Sequence, residues 1–91
     1  MMKRKFNAVL WKIGASVVFT IPSSIIKEFG RNSFLFADIN ANSVLFSVMM
    51  KPWKCGGSVV FTIPSPYVNG FSLNELVKNK KEVNIILRNL E

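Results

Sequence analysis

The sequence predicts a mostly β fold with short helices, written as two ββαβ repeats in one chain. Three observations carry that prediction. The stretch WKIGASVVFTIPS, residues 11–23, returns as WKCGGSVVFTIPS at 53–65, with eleven of thirteen positions identical. Within each copy, Val17, Phe19 and Ile21, or Val59, Phe61 and Ile63, alternate with smaller residues, as in a strand with one covered face. Each copy also contains a glycine turn and ends at a proline, the punctuation of a hairpin followed by a helix.

The elements follow in order. KFNAVLWKI is rich in apolar and aromatic residues and predicts a strand. Gly14 and Ala15 supply the turn, and SVVFTIP returns as the second strand, with Ser16, Val18 and Thr20 expected to point away from the core. Pro22 suits the opening of a helix, Ser23 or Ser24 can help to cap it, and Gly30 closes it. SFLFADI and SVLFSVMM are then two apolar strands joined at Asn40-Ala41-Asn42, the second expected to run on through KPWKC into the next hairpin around Gly56-Gly57. After Pro64 the second half carries an extra seven residues by alignment. There Ser72 and Glu75 have capping-box spacing and predict a helix over 73–79, before EVNIILRNL ends the chain as a strand.

The repeat divides the chain into 1–42 and 43–91. Neither half is long enough to bury its own apolar face. Two halves about an approximate twofold axis can share one sheet or barrel and one core. The alternative is two tandem beads, which would leave strand edges exposed.

Composition narrows the function. Of 91 residues 49% are apolar and 19% charged, which favours a folded chain over a disordered one. Twelve Lys plus Arg against five Asp plus Glu give a net charge of +7, which points to a polyanion. Residues 1–27 and 39–74 contain no acid, so both copies of the repeated phrase sit in acid-free surroundings. With no His and one Cys, Cys55, neither a zinc site nor a Ser/His/Asp or Cys/His arrangement can be assembled. No enzyme, no metal and no cofactor are expected. A lone thiol fits a reducing, cytoplasmic setting. The basic head and apolar body at the N-terminus outline a signal peptide, but Lys12 interrupts it and the same apolar run recurs at 58–64. No apolar run reaches the ~18 to 20 residues of a membrane span.

The pattern Lys-x-Gly-x-Ser-x-x-x-Thr-Ile-Pro, from Lys12 to Pro22 and again from Lys54 to Pro64, resembles the swapped-hairpin DNA-binding family typified by AbrB, SpoVT and the MazE antitoxins. The resemblance covers residues 5–70 well and the tail only in outline. It implies an AbrB-like barrel in which two units interleave their hairpins, normally as a homodimer and here as a fused pseudo-dimer within one chain. It further implies double-stranded DNA as partner and regulation of transcription as role. Carried over by position, the DNA-binding residues are Lys12, Gly14, Ser16 and Thr20 with Lys54, Gly56, Ser58 and Thr62.

Elementary chemistry supports the same residues: small hydroxyls beside an exposed glycine turn let the backbone approach phosphates closely. Lys3, Arg4 and Lys5 are expected as a basic arm, or as an unstructured terminus. Arginines that grip guanine in many family members are replaced here by Val17, Val18 and Phe19, so modest sequence specificity is expected. Trp11 and Trp53 are expected to pack within the hairpins rather than stack on bases. Two other functions compete with DNA regulation. One is an antitoxin, against which stands the absence of an extended acidic tail after the hairpin domain; the other is a non-DNA scaffold assembling through exposed strands. Self-association is left open, with the insertion and the Ser72 helix as its candidate surface.

Overall fold

In a computed structural model, residues 2–30, 33–41 and 43–89 are described. Among them are eight strands and three short helices. In chain order they are β1 Lys3–Val9, β2 Trp11–Ile13, β3 Ser16–Ile21, α1 Ser23–Phe29, β4 Leu35–Ala41, β5 Val44–Met50, β6 Trp53–Cys55, β7 Ser58–Ile63, α2 Ser65–Gly70, α3 Leu73–Asn79 and β8 Glu82–Arg88. The strands form two antiparallel four-stranded sheets, ordered β1-β8-β4-β5 and β2-β3-β7-β6. The class is mostly β with short helices, as the sequence predicts.

The pairing exchanges strands between the repeats. β1 of the first repeat bonds to β8 of the second, β4 and β8 meet at the centre of their sheet, and the hairpins join through β3 and β7. Both sheet orders read the same when the repeats are interchanged, as an approximate twofold axis requires. The buried residues form one cluster drawn from both halves, including Leu10, Phe19, Ile39, Phe61, Leu73 and Ile85. Tandem beads are therefore not the arrangement.

Several boundaries differ from expectation, each for a physical reason. The first strand does not run straight into the hairpin: at Leu10, which is buried, the chain turns from one sheet to the other. The second repeat makes the same corner at Lys51-Pro52, so KPWKC does not continue β5; Pro52 cannot donate to a ladder and is buried at the bend. β1 begins at Lys3, so Lys3, Arg4 and Lys5 are strand residues paired with Arg88, Leu87 and Ile86 and form neither an arm nor a loose terminus. Asn40 and Ala41, expected in the turn, are strand residues of β4 paired with Leu45 and Val44. Asn42, part of the expected turn, lies outside the described residues.

The helices also sharpen the prediction. Pro22 and Pro64 take the N-cap positions of α1 and α2, and no serine side chain caps either one. Ser72 precedes α3 as expected, but its backbone is left-handed (φ 55°) and its side chain makes no cap bond. The capping box is not formed; the backbone N–H of Glu75 bonds to the Ser72 carbonyl instead. The hairpins repeat at a spacing of 42, whereas the last strands superpose buried on buried at 48, Leu35 on Val83 and Ile39 on Leu87. The insertion is thus six residues, not seven. It supplies α3, which drives Leu73 and Leu76 into the core.

Candidate nucleic-acid interface

β3 and β7 run antiparallel with Phe19 opposite Phe61, so the approximate axis passes between those two residues. Their rings stack at 5.1 Å on the core side and bind the hairpins together. The other face of this sheet is set by alternation. It carries Trp11, Ser16, Val18 and Thr20 from the first hairpin and Trp53, Ser58, Val60 and Thr62 from the second.

Val18 and Val60 point to that face, away from the core, yet both are 0% exposed. The indoles explain it. Trp11 stands opposite Val18, and its Nε1–H donates diagonally to the Thr20 hydroxyl at 3.0 Å, so the ring lies across the valine. Trp53 repeats the arrangement over Val60, donating to Thr62 at 2.8 Å. The tryptophans pack within their hairpins, as the sequence predicts, yet remain 36% and 40% exposed. Thr20 and Thr62 are half-buried, each accepting an indole proton while its own hydroxyl hydrogen stays available to a ligand.

The turns are open. Gly14 and Gly56 have φ of 59° and 61°, a left-handed backbone that an L side chain resists, while Ala15 and Gly57 do not. Positive φ at the first central residue alone is the pattern of a type II′ turn, whose twist matches the flanking strands. Ser16 and Ser58 are exposed beside these turns. Because β3 and β7 are antiparallel, the turns lie at opposite ends of the sheet. Ser58 falls six residues along from Ser16 in the strand register, or roughly 20 Å.

Lys12 and Lys54 are exposed but split from the hydroxyls. They pair with Val17 and Val59, which places them on the opposite face of the sheet, at its two outer edges. The hydroxyls and indoles therefore form the centre of the surface, and the lysines its rim. Lys3 and Lys5 belong to the other sheet, facing away from the core. Arg4 is committed elsewhere, its Nε 2.6 Å from Glu28 of α1.

One polar group was missed by sequence reasoning. Asp38 lies on the outer face of the β1-β8-β4-β5 sheet, where Arg88 of the neighbouring strand donates Nε–H to it at 2.8 Å and an Nη2 hydrogen at 3.1 Å. Ser47 donates its hydroxyl to the same carboxylate. These bonds, those of Arg88 first, hold the Asp38 carboxyl below its ordinary value of 3.8. Arg88 also lies 4.4 Å over the Phe36 ring. Alternation places Asp38 outward between buried Ala37 and Ile39, but only the register shows which arginine it meets.

A cleft of about 260 Å³ runs between the start of α1 and the second hairpin turn, lined by Thr20, Pro22, Ser23, Ile26, Gly57 and Ser58. It adjoins one end of the hydroxyl face. Among the described residues no three His, Cys, Asp or Glu side chains come together, and no helix is long and apolar enough to cross a membrane. Compared with protein-family models, with curated proteins and with solved structures, the chain matches none.

Proposed function

We propose that this chain is a DNA-binding regulator of the swapped-hairpin kind, a fused pseudo-dimer that presents its two hairpins to duplex DNA. The observation that carries the proposal is the exchange of strands between repeats. The hairpins lie side by side in one sheet, related by a twofold axis, and duplex DNA has a twofold symmetry of the same kind. The resemblance of Lys12–Pro22 and Lys54–Pro64 to the AbrB pattern adds to it, as does the net charge of +7.

The division of labour follows from placement. Ser16, Ser58 and the open turns at Gly14 and Gly56 approach the sugar-phosphate backbone, where small hydroxyls and bare N–H groups donate hydrogen bonds. Lys12 and Lys54 supply charge from the rim, and Thr20 and Thr62 donate from the centre. Lysine is a point charge with no fixed fork, so the contacts favour backbone over base identity. Lys3 and Lys5 face away on the second sheet and contribute to the general field rather than to the interface.

The test is titration of a labelled duplex at increasing salt. Neutralising four to six phosphates gives a slope of about −4 to −5 in log affinity against log salt. Replacing both Lys12 and Lys54 with Ala weakens binding to all sequences and makes that slope shallower by about 2. Affinity that does not move between low and moderate salt sinks the proposal. Affinity unaltered in the double variant moves the interface elsewhere on the surface.

A further inference from the structure

The two edge strands of the larger sheet are equivalent under the approximate twofold axis, and their sequences have diverged. β1 reads KRKFNAV and β5 reads VLFSVMM. At the 42-residue spacing, the outward positions Lys3, Lys5 and Asn7 of β1 correspond to Leu45, Ser47 and Met49 of β5. Leu45 is 70% exposed and Met49 49%, with Phe34 the most open large apolar side chains among the described residues.

An edge strand offers a row of unpaired backbone N–H and C=O groups, and chains that stay apart protect such edges with charge. β1 has that protection in Lys3, Arg4 and Lys5. β5 has none: seven residues without a charge, a proline or a glycine. Two identical chains could not treat their edges differently; a fused pair can. We infer that β5 is a self-association strand, pairing antiparallel with β5 of a second copy to join two four-stranded sheets into one of eight.

The choice of a second copy rests on charge and on self-complementarity. A chain of net charge +7 repels its own copy over most approaches, and the β5 edge adds no charge of its own to that repulsion. Around Ser47 the strand is close to palindromic in character. A twofold pairing centred there sets Leu45 opposite Met49 of the other copy and Lys51 opposite an uncharged Ser43. Such a contact is isologous and closes as a dimer. Pairing β5 with β1 of another copy would instead lay lysines beside Leu45 and Met49 and would not close. The insertion is a poorer candidate: α3 turns Leu73 and Leu76 inward and leaves Asn74, Glu75, Lys78 and Asn79 outside.

The experiment is sedimentation velocity on DNA-free protein across a hundredfold range of concentration. The unaltered chain is expected to pass from monomer to dimer. Leu45→Lys with Met49→Lys weakens that dimer at least about tenfold while leaving the melting curve in place, since both side chains are exposed. Mixing this variant with one carrying Leu45→Glu and Met49→Glu restores a dimer, because the pairing sets position 45 against position 49. Monomer at every concentration, a dimer that the lysine variant leaves unchanged, open-ended growth, or a mixture that stays monomeric each overturns the inference.

Discussion

Gly14 and Gly57 occupy adjacent positions of equivalent turns, but only the first position has a left-handed backbone. The repeat supplies its own control, because Ala15 already stands where the second hairpin has Gly57. Gly14→Ala is expected to cost about 1–2 kcal/mol, the penalty of an L side chain at positive φ. Gly57→Ala, with open space around its Cβ position, is expected to be neutral or to stabilise by up to about 1 kcal/mol through the unfolded chain. Urea unfolding of the two variants checks the pair, and equal losses would mean that the turn is not of the II′ kind. These turn glycines were legible in the sequence because a two-residue connection between strands leaves few backbone choices. The burial of Val18 was not, since it depends on how far an indole reaches across the strand. Asp38 was legible as an outward residue but not as half of an ion pair with Arg88, fifty positions away. With its folded value lowered, Asp38 contributes stability that is complete above its ordinary value of 3.8 and lost as pH falls through the lowered one. Asp38→Asn is therefore expected to flatten the fall in melting temperature between about pH 5 and about pH 3. A fall as steep as in the unaltered chain would show that the Arg88 bonds carry no such linkage.

Equivalent elements of the two repeats are held down by different chemistry. Position 4 on β1 is an arginine paired with Glu28 of α1, and position 46 on β5 is a phenylalanine packed on α2. The Phe46 ring lies 5.2 Å from Tyr67 and 5.0 Å from Phe71. The Arg4 and Glu28 side chains are 46% and 42% exposed, so water and salt screen their attraction. Arg4→Ala is expected to cost no more than about 1 kcal/mol, and Phe46→Ala, which opens a void among aromatics, about 3–5 kcal/mol. Thermal and urea unfolding of both variants would reverse this ranking if the ion pair were the stronger clasp. Strands were the most legible elements, because their alternation and β-branched composition agree. Helix starts were less so. Ser23, Ser24 and Ser72 all have the chemistry of a cap, but Pro22 takes that position in one case and a left-handed backbone redirects the side chain in the other. The corners at Leu10 and Pro52 escaped notice because an unbroken apolar run does not say where a strand leaves one sheet for the next.

On the scale of the whole molecule, duplication makes a symmetric scaffold on which the two halves are free to differ. The doubled phrase predicted the shared core, since neither half can bury its own apolar face. Which strands exchange was beyond it, because repetition fixes equivalence but not pairing. The scaffold also sets the length of DNA it can engage under the proposed function. Ser16 and Ser58, beside the open turns, lie roughly 20 Å apart along the strand register, and the longest dimension of the described residues is 31 Å. At about 3.4 Å per base pair these lengths correspond to about six and about nine pairs. One molecule therefore covers about one turn of duplex. Affinity is expected to rise as duplexes lengthen from about six to about ten base pairs, while the turns at Gly14 and Gly56 beyond the serines gain phosphates, and then to level off once corrected for the number of overlapping sites. The measurement is best made at protein concentrations below those at which copies pair, so that pairing does not extend the site. Affinity already complete at six pairs would confine the contact to the surface between Ser16 and Ser58, without the turns beyond them. Affinity still climbing at twice that plateau length would mean that DNA also follows the Lys3 and Lys5 face of the second sheet.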